Sequence, residues 1–397
     1  MNPAEAGMFM YPWAVGDFAA FTEKYSTLGL NGIAPAFQYH RGTFLQADNG
    51  RVYRLPESAL SFRPNAALYG ESGLVPAVNE AAAKSDVTAR IAEWAKKSGI
   101  AVNAWTVLLH NSSIGGKNRE LTVENAFGDR YEHALCSANE RVRNYSDALI
   151  TDICANSAPE NILVESATFI PAFHGGHHEI SNVIVSPALH FLYSLCFCPR
   201  CMEKANAAGA DAEKARYSVK SLAVKLLNSE PYCGENGEGW IAAVFLEKPE
   251  IFLYEKARQA NTAAYIEFLG NVIHRNKARF RLMPNQPPLP DNSAYNEGMS
   301  YAEVGRLSAV DEYLPLIYSG GENYRNVRAA LRLFDEKTPM GGAFTLHPGR
   351  YPDKGSFIGA VAAAAEDGCR TAYFYNYSIA SEERLGWIRE AAQLLRE

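Results

Sequence analysis

The chain has 397 residues, of which 47% are apolar and 21% charged, with a formal net charge of −6. These values match an ordinary globular protein, and an acidic balance with no long basic run argues against nucleic acid or an anionic membrane surface as partner. No uncharged apolar stretch of roughly eighteen residues occurs, so no membrane span is expected, and residues 1–9 lack the basic-then-apolar pattern of a signal peptide.

In chain order, short apolar runs alternate with helical patterns. Residues 7–11 read as a first strand and 17–28 as a helix; 32–37 follow as a second strand after the breaker Gly29–Asn31. A long loop, 38–75, carries many Tyr, Arg and Pro residues before a helix over 79–98 and a third strand over 100–109. A helix over 140–155 leads into a fourth strand, 161–166, and helical segments cover 190–227 and 249–276. The remaining strands are expected at 279–283, 312–318, 341–346 and 371–375, each of the last three followed by a helix, the final one over 382–396.

Eight strands with helical crossovers predict a parallel sheet closed into a (β/α)8 TIM barrel, one domain over residues 1–397, with long insertions after strands two, three and four. The alternative is an open doubly wound sheet, disfavoured because no glycine-rich phosphate fingerprint follows the first strand. In a barrel, the loops at the strands' C-terminal ends build the functional face.

The fourth strand ends Ile162-Leu163-Val164-Glu165-Ser166. An apolar strand ending in a carboxylate places it at the barrel mouth, where burial raises its pKa and lets it hold a proton at neutral pH, as a general acid for a glycosidic oxygen must. The plainer alternative is a structural Glu paired with an Arg or capping a loop. Further along, Cys196-Phe-Cys198-Pro-Arg-Cys201 has a spacing that wraps one tetrahedral ion, with Cys136 as candidate fourth ligand. Four thiolates leave no open position, so zinc here is expected to be structural. The odd total of seven cysteines and this clustering suit a metal site in a reducing, cytoplasmic compartment better than a disulfide framework.

The stretch His174-Gly-Gly-His177-His178-Glu179 can clamp sugar hydroxyls, shuttle protons or hold a second metal; it can equally be a polar loop. His40, His110 and His347 sit at predicted strand ends and converge if those strands are right. Trp13 is the preferred platform for a sugar ring. Tyr39, Trp105, Tyr318, Tyr375 and Tyr377 are further flat surfaces, each alone more often core, Trp105 especially because it lies within a strand, where an outward direction is open to it. Asn111, Asn285 and Asn376 offer amide donors and acceptors at the same end.

Cys136 before a polar turn and helix, Glu165 ending strand four, and then Cys-x-Cys-x-x-Cys together resemble the family-42 β-galactosidases of the retaining glycoside hydrolases. That resemblance implies a structural zinc on Cys136, Cys196, Cys198 and Cys201, and an acid/base role for Glu165. The chain as a whole is similar to uncharacterised glycoside-hydrolase-like barrels. That likeness rests on Tyr11-Pro12-Trp13, Val102-Asn103-Ala104-Trp105-Thr106, Leu109-His110-Asn111-Ser112, Asn125-Ala126-Phe127-Gly128-Asp129-Arg130-Tyr131, Ala134-Leu135-Cys136, His177-His178-Glu179 and Phe374-Tyr375-Asn376-Tyr377. Two departures from family 42 stand out. The seventh strand, Gly341-Gly342-Ala343-Phe344-Thr345-Leu346-His347, carries no carboxylate, and Val164 occupies the position before the acid. A second catalytic carboxylate is then sought in Asp129, Glu179, Asp291 or Glu322. Three functions stay open: a glycoside hydrolase; a metal-dependent sugar isomerase, epimerase or lyase using the histidine loop; and a non-catalytic carbohydrate-binding barrel. The expected partner is a small carbohydrate, with homo-oligomerisation left open.

Overall fold

The computed structural model describes residues 4–47, 49–173, 185–228, 237–284, 294–318 and 321–397, with the backbone alone at 237–238, 294–295 and 321–322. Among them, no helix is long and apolar enough to cross a membrane. The architecture is mixed α/β, built on a curled, barrel-like parallel sheet of nine strands. Their order is Glu312–Tyr313, Arg279–Met283, Asn161–Glu165, Ala101–Val107, Gly32–Tyr39, Glu5–Met10, Thr371–Tyr375, Gly342–Thr345 and Leu316–Ile317. The first and last of these are neighbours in sequence, since the expected sixth strand is split at Leu314–Pro315. Its backbone bonds to both sides. The Leu314 N–H donates to Leu282 O, the Tyr313 N–H to Pro339 O, and the Gly341 N–H to Tyr313 O. Proline lacks an N–H and so interrupts the ladder there.

Strands buried on both faces read as near-continuous apolar runs, and alternation then decides which residues face inward. Phe9, Tyr11, Ala34, Ala36, Trp105, Val107, Leu163, Met283, Ala343 and Tyr373 pack together inside the curl. Their sequence neighbours Met8, Met10, Ile33, Ala104, Ile162, Val164, Phe280, Leu282 and Phe374 pack outward against the helices. Cβ atoms at Gly7 and Gly32 would collide with the Tyr373 ring, so glycine at both positions is what admits that side chain.

Near the strands' N-terminal ends the interior is polar. Arg281 donates to both oxygens of Glu5 at 2.6 and 2.7 Å and to Asn103 Oδ1 at 2.6 Å, and its Nε lies 2.8 Å from Glu312. Tyr373 and Asn103 also bond Glu5. Burial alone would raise the Glu5 pKa; the bonds and charge of Arg281 outweigh it and hold the carboxylate below its ordinary range.

The helices depart from the sequence reading in defined places. Residues 190–227 do not form one helix. They hold Pro187–Ser194, Pro199–Ala207 and Ala212–Leu227, broken where Cys196–Pro199 turns and where Gly209 takes positive φ. Residues 79–98 divide into Glu80–Ala83 and Val87–Ser98 around Asp86, whose φ is 47°. Two antiparallel hairpins lie within the long loops: Gly42–Leu45 with Val52–Leu55, and Thr122–Glu124 with Arg130–Leu135.

Candidate active site and metal centre

Glu165 is the last residue of its strand, and Leu163 beside it pairs in register with Trp105 of the neighbouring strand. Side chains of alternate residues share a face, so Trp105 points inward beneath Glu165 rather than in the outward direction that the sequence leaves open. Its Nε1–H donates to Glu165 Oε2 at 2.7 Å. Directly after Glu165 the chain turns through Ser166, whose φ of 59° lies in the left-handed region, an uncommon conformation for a non-glycine residue. The Ser166 carbonyl accepts from the Leu109 N–H at 3.0 Å.

Burial pushes the Glu165 pKa up to about 7, against the lowering effect of the Trp105 bond. The group can therefore both hold and release a proton near neutrality. Four tyrosines surround it. The Tyr11 hydroxyl lies 2.5 Å from that of Tyr375 and donates to that of Tyr39 at 3.2 Å. Tyr318 stands at the end of the split sixth strand. Burial is the main reason all four phenols are raised, and the nearby Glu165 charge adds to it in each. They are neutral hydroxyls at working pH, fit to donate to sugar oxygens and unfit to serve as preformed phenolates. Trp105 packs edge-on against Phe9, Tyr39 and Tyr375 at centroid distances of 4.9, 4.8 and 6.0 Å.

The other expected site residues fall into groups. Trp13 lies inside the aromatic cluster, stacked on Tyr11 at 4.7 Å and on Tyr53 of the first hairpin at 5.6 Å. His40 stacks on Tyr39 at 4.3 Å and on His110 at 4.5 Å, so these two histidines do converge beside the tyrosines. Asn111 is buried and occupied locally: its Oδ1 caps the helix Ser112–Lys117 through the Ile114 N–H, and its Nδ2 donates to Tyr145. Asp129 sits in the turn of the second hairpin, where it accepts from Asn125. Its charge bears on Tyr131 and Tyr193, and no described contact links it to Glu165. Tyr377 packs on the outer layer against Phe21 and Tyr25. His347, Tyr375 and Asn376 line one cavity together. His174, His177, His178, Glu179, Asn285 and Asp291 lie outside the described residues, as does the side chain of Glu322.

Tyr11 escaped notice as a site residue, although it directly follows the first strand on the inward parity of Phe9. That alternation was the available signal. The structure ties the two ends of the chain together there. The Tyr11 N–H donates to Ser378 Oγ, and Ser378 in turn donates its N–H to Asn376 Oδ1.

Cys136, Cys196, Cys198 and Cys201 are all buried, and their sulfurs lie within 4.8 Å of one another, close enough to hold a metal ion. From Cys136 the sulfurs of Cys201, Cys198 and Cys196 are 3.5, 3.6 and 3.9 Å away. A tetrahedron with metal–sulfur bonds of about 2.3 Å has edges of about 3.8 Å, whereas a disulfide would need about 2.05 Å. The local sequence explains the gathering. Cys198 precedes the helix Pro199–Ala207, with Pro at its first position, so Cys201 projects from the first turn, three residues on. Cys136 follows the strand Arg130–Leu135, held by its N–H to Leu121 O. Phe169 and Ile170, from the loop after Glu165, pack on these sulfurs.

No family model matches the chain, and no curated protein matches it in sequence. Solved structures do share its fold. The glycoside hydrolase domain of PgaB (BpsB) from Bordetella bronchiseptica aligns over 98% of this chain and 99% of its own, with a TM-score of 0.64 at 12% identity. A β-galactosidase from the psychrophilic Marinomonas ef1 aligns with a TM-score of 0.57 at 7% identity, over 98% of this chain and 59% of its own. An α-L-fucosidase from Paenibacillus thiaminolyticus gives 0.55 at 9%, over 98% of this chain and 49% of its own. This chain thus spans about half the length of the last two. At such identities the likeness is one of fold.

Proposed function

We propose that this chain is a glycoside hydrolase in which Glu165 is the acid that protonates the departing glycosidic oxygen. The observation that carries the proposal is the carboxyl group itself: half-buried at a strand end, desolvated so that its pKa stands near 7, and ringed by neutral hydroxyls and aromatic faces. Its fold neighbours include three named as carbohydrate hydrolases. We read the sheet as one (β/α)8 barrel domain, closed through the split sixth strand, with insertions after strands two, three and four. The substrate is a carbohydrate held by Tyr11, Tyr39, Tyr318 and Tyr375. The second catalytic group is proposed among Glu179, Asp291 and Glu322; Asp129 is a weaker candidate because its described bonds are to its own hairpin.

The thiol quartet is proposed as a structural zinc site, in keeping with the family-42 resemblance. Its donor set and sulfur spacing suit that ion, and four thiolates leave it no open coordination position for chemistry. Unpaired thiols also favour a reducing, cytoplasmic setting.

Replacing Glu165 by Gln tests the acid role. General acid catalysis contributes about 10²–10⁴-fold, so Glu165→Gln should lose that much on glycosides with poor leaving groups. It should lose far less on dinitrophenyl glycosides, which depart without a proton. Equal losses on both, or none, would remove Glu165 from that role.

A further inference from the structure

The cavity lined by His347, Tyr375 and Asn376, of about 270 Å³, adjoins the tyrosine cluster between the ends of the strands Gly342–Thr345 and Thr371–Tyr375. Tyr375 belongs to both places: its hydroxyl meets Tyr11, and its side chain lines this cavity. Ala47, from the turn of the first hairpin, also lines it, and Ile379 and Pro348 give apolar surface. The volume corresponds to about nine water molecules at about 30 Å³ each, the size class of one pyranose ring. It falls below the ~300–1,000 Å³ of pockets for larger ligands.

The polar groups on the wall are specific. His347 Nδ1 accepts from the Gly349 N–H at 3.0 Å, which fixes the tautomer and leaves Nε2–H as an exposed donor. Asn376 is fully buried, with Oδ1 engaged by Ser378, and its Nδ2 has no partner among the described residues. A buried donor without a partner is unfavourable, and a turn of the Asn376 side chain toward the cavity would bring it within reach of an occupant's hydroxyl. Arg384 gives its guanidinium hydrogens to the carbonyls of Leu346, Tyr351 and Pro352. The cavity therefore suits an uncharged polyol with an apolar face better than an anion.

We infer that this cavity is a subsite for a second, neutral sugar ring, so that the substrate is a chain of at least two sugars cleaved beside Glu165 rather than a single-sugar glycoside. The inference rests on the hydrolase reading above. It requires that ring positions on the two sides of Tyr375 be filled by one molecule.

The test uses the whole chain and nitrophenyl glycosides of one, two and three rings in galactose, fucose and glucose series. Wild type should show kcat/KM at least tenfold higher for two rings than for one. Ala47→Trp, at an exposed hairpin turn, fills the cavity, and His347→Ala removes the exposed donor. Each should cut that gain below threefold. A gain that survives in both variants, or one-ring substrates turned over as well as two-ring ones, overturns the subsite. If wild type cleaves no probe, the hydrolase reading has failed by itself. The subsite is then judged by calorimetric titration with the same two-ring sugars: binding by wild type that Ala47→Trp abolishes supports it, and no binding by wild type overturns it.

Discussion

Trp105→Phe isolates the one described hydrogen bond that stabilises the Glu165 carboxylate. The Trp105 Nε1–H lies 2.7 Å from Oε2 and lowers the pKa, while burial raises it to about 7. A hydrogen bond to a charged group contributes about 1.5–3 kcal/mol, and one pKa unit corresponds to about 1.36 kcal/mol. Removing the donor while keeping an aromatic ring should therefore raise the Glu165 pKa by about one to two units. An acid works only while protonated, so the alkaline limb of kcat/KM should move from near pH 7 to about pH 8–9. At pH 8 the wild-type acid is about 10% protonated, whereas a group of pKa 8.5 is about 75% protonated. The assay is a profile of kcat/KM against pH on a glycoside with a poor leaving group, paired with the infrared band of the protonated carboxyl. Because the limb's position is read rather than the rate, partial loss of fold does not imitate the shift. A limb that stays at pH 7 or moves to lower pH would refute the balance of forces assigned to Glu165.

Three further outcomes follow from the same contacts. Since the folded pKa of Glu165 stands above its ordinary 4.5, the native state holds a proton that the unfolded chain releases, and stability falls as pH rises from about 4.5 to 7. Glu165→Gln should thus match wild type near pH 4 and be more stable by up to about 3 kcal/mol above pH 7, measured by urea unfolding across pH; equal stability at pH 8 would contradict it. Arg281→Met leaves Glu5 and Glu312 buried without their cation and should cost about 3–5 kcal/mol, read from the shift in urea midpoint. Cys198→Ser, or chelation of the wild type, should remove one equivalent of zinc and lower Tm; full metal content in the variant would remove Cys198 from the ligand set.

Much of this was legible in the residues, and the exceptions have physical causes. Near-continuous apolar runs bounded by breakers mark strands buried on both faces, so seven of the expected strands appear within about two residues of their place. The sixth divided because Pro315 cannot donate to its neighbour. Glu165 and the four thiols were visible as a strand-end carboxylate and a ligand spacing. The direction of Trp105 is hidden in the sequence because the strand Ala101–Val107 carries a polar residue on each parity, Asn103 and Thr106; the register with Leu163 and the bond to Glu165 reveal it. The hairpin Gly42–Leu45 with Val52–Leu55 was missed because its strands are four residues each and partly exposed, giving little hydrophobic period. Asn111 looked like a ligand and is a helix cap, since the same amide chemistry serves both uses.

The placement of the thiol cluster and of Glu165 in one region has a mechanical reason. The loop that leaves Glu165 begins with a left-handed Ser166, a conformation a non-glycine residue adopts only under constraint from its surroundings. The constraints are visible on both sides. Thr168 donates to buried Glu297 at 2.6 Å, and the Phe169 N–H donates to Glu297 O. Phe169 and Ile170 pack on Cys136, Cys196, Cys198 and Cys201, and the Ala172 N–H donates to Ser194 Oγ, two residues before Cys196. A structural ion there would fix the packing surface for Phe169 and Ile170, and through them the exit of the strand that ends in Glu165. The carboxyl group owes its raised pKa to burial, and the loop begins at the residue directly after it. If the proposed ion is bound, it would act on the proposed chemistry without touching substrate, by holding the loop that leaves the strand ending in Glu165.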